Sequence, residues 1–218
     1  ALDKIYIYNK QGMLIKQYNL KYSYFNGINC SFEPSGDYLC KRLKLDSITE
    51  VNGSASKPPY TFFYDETPLS PRNSFQQDYW GYFNGNGANT LIPKVWAYPS
   101  DYNNPLYKSG YSIYRRSSYA GVEYELAEGV DRNPVETKMK AGILNKIVYP
   151  TGCFLELEYE SNKFFFDNAN REGGGLRVKS TKFKDDINGD LIQNHYEYTL
   201  NIDHSKSSGY LLYLPQFA

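Results

Sequence analysis

Apolar and polar residues alternate along several stretches of the chain, and this alternation predicts β-strands. In residues 13–25, for example, Leu14 and Tyr18 share one parity, whereas Gln17 lies on the other. A period of two residues places such side chains on opposite faces of a strand that is buried on one side. Residues 2–8 show the same β character, so the turn cluster between the two stretches predicts a hairpin.

Three more hairpins are predicted farther along the chain. Residues 41–51 and 60–66 form the strands of one, and "ILNKIVYPTGCFLELEYE", which turns at 150–152, forms the next. The third turns at Asn188–Gly189, a dipeptide that favours tight hairpin turns. Because a lone hairpin cannot bury its apolar face, neighbouring hairpins must stack or pair edge to edge. The fold class that we predict is mainly β, with antiparallel hairpin repeats in an extended, curled sheet or a sandwich.

The alternation is absent between residues 66 and 132, where Gly, Asn, Pro and Ser separate many aromatic residues. A long structureless stretch inside a compact domain is usually functional or poorly ordered. We predict a loop-rich aromatic insertion here, with short strands near 112–116 and 122–126. A shorter loop is predicted over 164–175, where three glycines read as a flexible lead into the next strand. They do not form a phosphate loop, because neither Lys-Ser/Thr nor a helix follows them.

One short helix is predicted over residues 133–142. Asn133 is placed to cap it, Pro134 suits its first position, Glu136 lies three residues after the cap, and Gly142 ends it. We therefore predict a single β-rich module, with hairpins over 1–65, the insertion over 66–132, the helix over 133–142 and hairpins over 143–218.

Composition narrows the class of protein. The chain has 24 Lys and Arg against 24 Asp and Glu, so nucleic acid is not an expected partner. Its 23 tyrosines are typical of β-sheet faces that are partly exposed to solvent, because Tyr has an apolar ring and a polar hydroxyl. No apolar stretch is long enough to span a bilayer. These features favour an exported β protein with a thin core.

The cysteines are Cys30, Cys40 and Cys153, and an odd number cannot form a complete set of internal disulfides. Cys30 and Cys40 flank a loop and are close enough in sequence to pair, but their spacing does not fix their geometry. We favour free, buried thiols over that bridge. No Cys-x-x-Cys pattern supports a zinc site.

Some motifs of the chain carry a family resemblance. The hairpin "GILNKIVYPTGCFLELEYES" has Gly, Leu, a basic residue and Ile, then Pro-x-Gly, then an alternating strand that ends in Tyr and an acid. Looser copies begin at "LIKQY", "LKLDSI" and "LRVKST". The pattern resembles the YD repeat of Rhs-type proteins. The motifs "QDYWGYFNG", "DRNPVETKMKAGILNKIVYPTG" and "GGGLRVKS" together resemble the region upstream of the regular repeats in such exported proteins.

The resemblance covers most of the chain, and it implies a non-catalytic structural β-scaffold of a large secreted or cell-surface protein. In Rhs-type and related proteins, such sheets form a hollow shell that can enclose a C-terminal toxin, or an adhesive rod. The implied partners are neighbouring repeats of the same polypeptide. Only Tyr64-Asp65 is literally Tyr-Asp, so we predict a divergent flank of the regular repeats.

The two ends of the chain have strand-like sequence. We therefore expect a fragment of a longer exported protein, whose signal segment is not part of this chain. We also expect the terminal strands, 2–8 and 191–200, to leave open sheet edges that either pair with other strands or are covered by loops.

The aromatic insertion is the candidate binding site. Flat rings stack on the C–H faces of sugars, and a neighbouring carboxylate can accept hydrogen bonds from their hydroxyls. The alternative function is therefore a polysaccharide-binding surface module with the site residues Asp78, Tyr79, Trp80, Tyr82 and Trp96. The competing interpretations are that these rings fill a secondary core beneath the insertion, or that they contact other repeats. The exposure of the two tryptophans separates the first two interpretations.

No arrangement typical of an enzyme stands out in the sequence. His195 and His204 are its only histidines, and no Gly-x-Ser-x-Gly motif is present. Asp186, Asn188 and Asp190 have the spacing of a calcium loop, but Leu occupies the position that needs Gly in an EF-hand. We therefore predict no catalytic residues and no cofactor, and we favour a polar β-turn over a calcium site.

Overall fold

The strands of the protein follow the alternating stretches of its sequence. A computed structural model describes residues 1–25, 27–28, 37–53, 55–93, 95–97, 124–127, 129–166, 168–185 and 189–210. The strands are β1 (Lys4–Tyr8), β2 (Leu14–Phe25), β3 (Arg42–Asn52), β4 (Ala55–Ser56), β5 (Tyr60–Tyr64), β6 (Val95–Ala97), β7 (Tyr124–Ala127), β8 (Leu144–Val148), β9 (Phe154–Phe166), β10 (Ala169–Lys184), β11 (Leu191–His195), β12 (Thr199–Leu200) and β13 (Asp203–Ser207). The helices are α1 (Asp37–Cys40) and α2 (Glu136–Met139).

Nine of the described strands form one sheet, in the order β1-β2-β3-β5-β8-β9-β10-β11, with β4 paired to β3. The pairings of β1 with β2, β2 with β3, β5 with β8, β8 with β9 and β10 with β11 are all antiparallel. The sheet remains open. The predicted class, mainly β with antiparallel hairpins in an extended sheet, is confirmed.

The first predicted hairpin has the turn that its sequence favours. The Asn9 carboxamide oxygen accepts hydrogen bonds from the backbone N–H groups of Gln11 and Met13, at 3.0 and 2.8 Å. Gly12 supplies the positive φ of 80° that this turn requires. Local turn chemistry therefore fixes where β1 ends and β2 begins.

Residues 164–166 and 169–175 are strand, and the prediction of a loop over this stretch is wrong. β9 continues to Phe166, and β10 begins at Ala169. Asn168 has a φ of 54° between the two strands, a conformation that Asn tolerates better than most residues. The three glycines thus lie inside β10, where they accept close neighbours rather than provide flexibility.

The predicted helix exists, but it is shorter and starts later. It covers only Glu136–Met139. Asn133 does not cap it, because the helix begins three residues later, and the Asn133 side-chain N–H donates to Asp131 Oδ1 at 2.7 Å. The Glu136 carboxylate accepts hydrogen bonds from the N–H and hydroxyl of Ser161. No helix in the described part of the chain is long and apolar enough to cross a membrane.

Two antiparallel strand pairs lie outside the large sheet, β6 with β7 and β12 with β13. β7 falls on the stretch predicted as a strand near 122–126, whereas the strand predicted near 112–116 lies outside the described residues. The strand predicted over 191–200 is divided, since β11 ends at His195 and β12 begins at Thr199.

The chain divides into two compact units, each built from separate segments. Unit 1 contains Ala1–Arg72, Lys140–Glu160 and Val178–Glu197, and unit 2 contains Asn73–Met139, Ser161–Arg177 and Tyr198–Ala218. Few described hydrophobic side chains are buried: Cys153 in unit 1, and Met139 and Phe164 in unit 2. The core is therefore thin, as the composition suggested. That the chain forms a single module stays a prediction.

The cysteines differ from the expectation at one position. Cys40 is disulfide-bonded, so the preference for a free thiol is wrong there, and its partner lies outside the described residues. Cys153 is a free, buried thiol, and its Sγ–H donates to the carbonyl oxygen of Asp185.

Candidate functional site

The large sheet ends in β1 on one side and β11 on the other, which confirms the predicted edge positions of the terminal strands. All five residues of β1 are exposed. Ile5 and Ile7 are each 42% exposed, and Tyr6 and Tyr8 are 46% and 57% exposed. Because side chains alternate along a strand, the isoleucines share one face and the tyrosines the other. β1 thus presents apolar side chains on both faces, beside an outer edge that no described strand pairs with.

The opposite edge has the same character. All five residues of β11 are exposed, including Leu191 at 52% and Ile192 at 49%. Edge strands of soluble proteins usually carry charged residues or Pro, which discourage further pairing. Lys4 is the only Lys, Arg, Asp or Glu in β1, and β11 has none. The two edges therefore lack the usual protection against strand addition.

A tight turn in unit 2 contains most of the aromatic residues predicted to bind a ligand. We call residues 77–84 the aromatic turn. Gln77 and Phe83 form an antiparallel bridge, and the Asp78 N–H donates to the Tyr82 carbonyl at 2.8 Å. Gly81 has a φ of 89°, which a side chain at this position would disfavour. The first Gly in "QDYWGYFNG", Gly81, is therefore required by the turn.

Asp78 holds the aromatic turn from within. Its side chain is fully buried, and its Oδ1 accepts hydrogen bonds from the N–H groups of Trp80 and Tyr82, each at 2.9 Å. Its Oδ2 has no hydrogen-bond partner among the described residues. Burial raises the pKa of the carboxyl, while the backbone hydrogen bonds and the charge of Arg132 oppose that shift. Asp78 thus has a structural role.

Arg132 fastens the same turn from the side. Its guanidinium donates to the carbonyl oxygens of Asp78, Leu91 and Gln77, at 2.6, 3.1 and 3.3 Å. The guanidinium carbon also lies 5.1 Å from the centre of the Tyr79 ring, within the range of a cation–π contact. The sequence reasoning missed this residue, although an Arg is the side chain best able to bind several carbonyls at once.

The glycines of β10 receive the aromatic turn. A Cβ on Gly174 would lie 2.4 Å from the Trp80 Cβ, so only Gly fits there. Gly175 has a φ of 86°, and a Cβ on it would lie 3.0 Å from the Tyr82 hydroxyl. Two separate motifs of the resemblance, "QDYWGYFNG" and "GGGLRVKS", are thus in direct contact. The interpretation of these glycines as a flexible lead is wrong.

The carbohydrate-site residues meet in part. Tyr79 and Trp80 are partly buried and contact each other edge to face at a centroid distance of 6.4 Å. Tyr82 is 46% exposed, whereas Asp78 is enclosed and offers no carboxylate to a surface ligand. Trp96 lies in β6, and its side chain is outside the described part of the structure. Carbohydrate binding by the exposed rings stays a prediction.

The calcium hypothesis is not tested by the structure. Asp186 and Asn188 lie outside the described residues, and Asp190 is an exposed residue directly before β11. Among the described residues, no group of three or more His, Cys, Asp or Glu side chains is arranged to hold a metal ion.

Each histidine ring lies within hydrogen-bond distance of a neighbouring polar side chain. The His195 Nε2 lies 3.0 Å from the Gln193 Nε2, and the His204 Nδ1 lies 3.1 Å from the Thr199 Oγ1. His204 belongs to β13.

A groove of about 710 Å³ on unit 1 holds a pair of carboxylates that the sequence reasoning did not single out. Glu156 accepts a hydrogen bond from Lys146 at 2.8 Å, and Glu158 accepts from Lys179 at 2.8 Å and from Ser180 at 2.9 Å. The hydrogen bonds from Lys179 and then Ser180 hold the pKa of Glu158 below its usual range. A carboxyl that acts as a general acid needs a raised pKa, so this pair is arranged as a set of ion pairs.

Comparison with known proteins gives no match: no family model matches the chain, and no curated protein or solved structure is similar enough to count as a relative. The likeness to Rhs-type proteins therefore rests on the motifs quoted from the sequence.

Proposed function

We propose that this chain is a structural β-sheet module of a large exported, Rhs-like protein. Its sheet is extended at β1 and β11 by strands of neighbouring repeats, and it catalyses no reaction. The observation that carries the proposal is the pair of unprotected, apolar edges.

The exposed edges are costly for an isolated protein. Burying one Ile or Leu side chain contributes roughly 1.5–3 kcal/mol, and each edge leaves several apolar side chains in water. A neighbouring strand would cover Ile5 and Ile7 on one face and Tyr6 and Tyr8 on the other. It would also pair the outer N–H and C=O groups of β1.

The module already assembles in this way internally. Its own hairpins join edge to edge, since β2 pairs with β3 and β5 with β8, each in antiparallel register. A further hairpin of the same alternating type is therefore the partner that best fits the outer edges. Such growth of a sheet by repeated hairpins agrees with the shell or rod that the resemblance implies.

The packing of the aromatic turn also supports a structural role. Trp80 lies against Gly174, and Asp78 is buried within the turn. The aromatic turn is therefore packed within the protein, where its contacts stabilise the fold. The ion-paired state of Glu156 and Glu158 supports a protein without hydrolytic chemistry.

Sedimentation velocity across a wide range of protein concentrations tests the proposal. We expect the chain to associate reversibly, and we expect Ile7→Lys and Ile192→Lys each to weaken association, because a charge at an edge disfavours pairing. Ile202→Lys is the matched control, since Ile202 is 93% exposed and lies in the turn between β12 and β13. A wild-type chain that stays monomeric, or a control that weakens association as much as the edge variants, would contradict the proposal.

Carbohydrate binding is the second candidate function, and the exposed ring of Tyr82 favours it. A titration of tryptophan fluorescence against host and bacterial polysaccharides tests it, because both tryptophans belong to the insertion. A saturable shift that Tyr82→Ala abolishes in a folded protein would support this function. A flat titration with emission protected from quenchers would remove it.

A further inference from the structure

A second depression on unit 1 lies apart from the edges. It has a volume of about 540 Å³, and its walls include Tyr60, Tyr149, Phe183 and Pro150. We call it the tyrosine groove. The Tyr60 and Tyr149 rings pack edge to face, with their centroids 5.9 Å apart and their planes at an angle of 76°. Phe183 adds a third ring. The volume is within the range of small-molecule sites.

The framework of the tyrosine groove is fixed by neighbouring strands. Tyr60 begins β5, and Tyr149 directly follows β8, which pairs with β5. The Tyr149 N–H donates to the Cys153 carbonyl at 2.9 Å across the β8–β9 turn. The Cys153 thiol in turn donates to the Asp185 carbonyl at the end of β10. The rings and the acidic residue are therefore attached to the sheet rather than to a long loop.

The charge of the tyrosine groove is not balanced. Glu50 is neutralised, because its carboxylate lies 2.9 Å from the Lys57 ammonium and 3.4 Å from that of Lys16. The hydrogen bond from Lys57 is the main cause of a lowered Glu50 pKa. Asp185 is exposed and has no cationic partner among the described residues. The residues that line the groove therefore carry two carboxylates, those of Glu50 and Asp185, against one ammonium, that of Lys57.

We propose that the tyrosine groove binds an organic cation of the trimethylammonium type. The faces of aromatic rings attract cations electrostatically, and methyl groups around the positive nitrogen give it an apolar surface that packs on the rings. Asp185 supplies the opposite charge. A neutral sugar gains nothing from that charge, and an anion is repelled by it. The proposal is independent of the edge pairing, because no residue of the groove lies in β1 or β11.

The direct test is a titration of the full chain with choline chloride, followed by two-dimensional NMR of backbone amides at constant ionic strength. The matched probe is 3,3-dimethyl-1-butanol, which has the shape of choline without the charge. We expect saturable shifts at the groove with choline and binding on the order of fivefold to tenfold weaker with the neutral alcohol. Glucose serves as the neutral sugar probe and is expected to give no shifts there.

Three variants assign the binding to this groove. Tyr149→Leu is expected to remove choline binding, whereas Tyr149→Phe, which keeps the ring, is expected to retain it. Asp185→Asn is expected to narrow the difference in affinity between choline and the neutral alcohol, because only the attraction of the ring faces for the charge remains. Phe63→Leu is the control, because Phe63 is an exposed aromatic residue that lines the other groove. Circular dichroism confirms that each variant is folded.

Several results would overturn the proposal. Equal binding of choline and the neutral alcohol by the wild-type chain would reduce the groove to an apolar pocket. Shifts with glucose alone would make it a sugar site. The absence of any saturable shift, or an unchanged affinity in Tyr149→Leu, would show that the groove holds no cation.

Discussion

The aromatic turn and β1 are built from similar residues but have different surroundings. In the aromatic turn, Trp80 meets the bare backbone of Gly174, and Tyr79 lies beneath the Arg132 guanidinium. In β1, the rings of Tyr6 and Tyr8 stack on each other at 6.3 Å and are otherwise open to solvent. One group of rings is part of a packed substructure, and the other is available for a partner.

The difference shows that aromatic content alone does not indicate a binding surface. A ring is buried when the structure supplies a neighbour small enough to receive it and polar groups able to satisfy the backbone around it. The aromatic turn has both, in Gly174 and in the Asp78 and Arg132 side chains. β1 has neither on its outer side, so its apolar residues remain free to pair.

Gly174→Ala is expected to have the largest effect on stability, because it disrupts the contact between Gly174 and Trp80. The new Cβ would lie 2.4 Å from the Trp80 Cβ, so the turn or the strand must shift. We expect a loss of about 2–3 kcal/mol in the free energy of unfolding, measured by urea denaturation. Gly173→Ala in the same strand is the control, since its nearest contact would be 3.4 Å away, and we expect less than about 1 kcal/mol there. Equal losses in the two variants would disprove the close packing of the turn.

Arg132→Met is expected to have the next largest effect. It removes three hydrogen bonds to carbonyl oxygens around the turn, and two of these bonds, to Gln77 and Asp78, are partly buried. We expect a loss of about 1–3 kcal/mol in the free energy of unfolding. Arg72→Met is the matched control, because the Arg72 guanidinium donates one exposed hydrogen bond, to the Lys41 carbonyl, and a smaller loss is expected. A larger loss in the control would mean that Arg132 does not fasten the turn.

Asp78→Asn tests the buried carboxyl through its pH dependence. Burial raises the folded-state pKa of the Asp78 carboxyl above its ordinary value of 3.8, so the folded state binds the proton more tightly than the unfolded state. This contribution to stability is complete below pH 3.8 and is lost as the pH rises through the folded pKa. The variant lacks the titration. The difference in the free energy of unfolding, Asp78→Asn minus wild type, should therefore be largest at neutral pH and should fall as the pH is lowered. A difference that does not vary with pH would refute the raised pKa.

Ile7→Lys is expected to have the smallest effect on folding. Ile7 is already exposed, so we expect a change within about 0.5 kcal/mol in the free energy of unfolding of the monomer, measured at low protein concentration. The same substitution should weaken association, which separates an interaction surface from a packed core. A loss as large as that of Gly174→Ala would mean that β1 is held by contacts of its own and is not an open edge.

The hairpins could be predicted because they are local. Alternation over a few residues, together with turn residues such as Gly12, fixes where a strand lies and which side chains share a face. The edge positions of β1 and β11 were anticipated from the same pattern. The loop predicted over 164–175 failed because glycines are depleted in strands, and only a close neighbour explains why they lie in one.

The roles of the site residues depended on contacts that the sequence does not display. Asn133 and Glu136 have the spacing of a capping box. In the structure, however, the Asn133 side chain donates to Asp131, and the Glu136 carboxylate accepts from Ser161. Asp78 was a candidate for binding a sugar at the surface, yet the turn folds around it.

The alternating pattern of the sequence by itself determined antiparallel hairpins and the edge positions of the terminal strands, because strand periodicity and turn chemistry act over a few residues. The tertiary structure alone decided that Gly174 receives Trp80, that Arg132 fastens the aromatic turn, and that Tyr60 and Tyr149 share a groove. Each of these contacts joins residues more than 40 positions apart in the chain, and packing at that separation depends on how the strands are arranged in space.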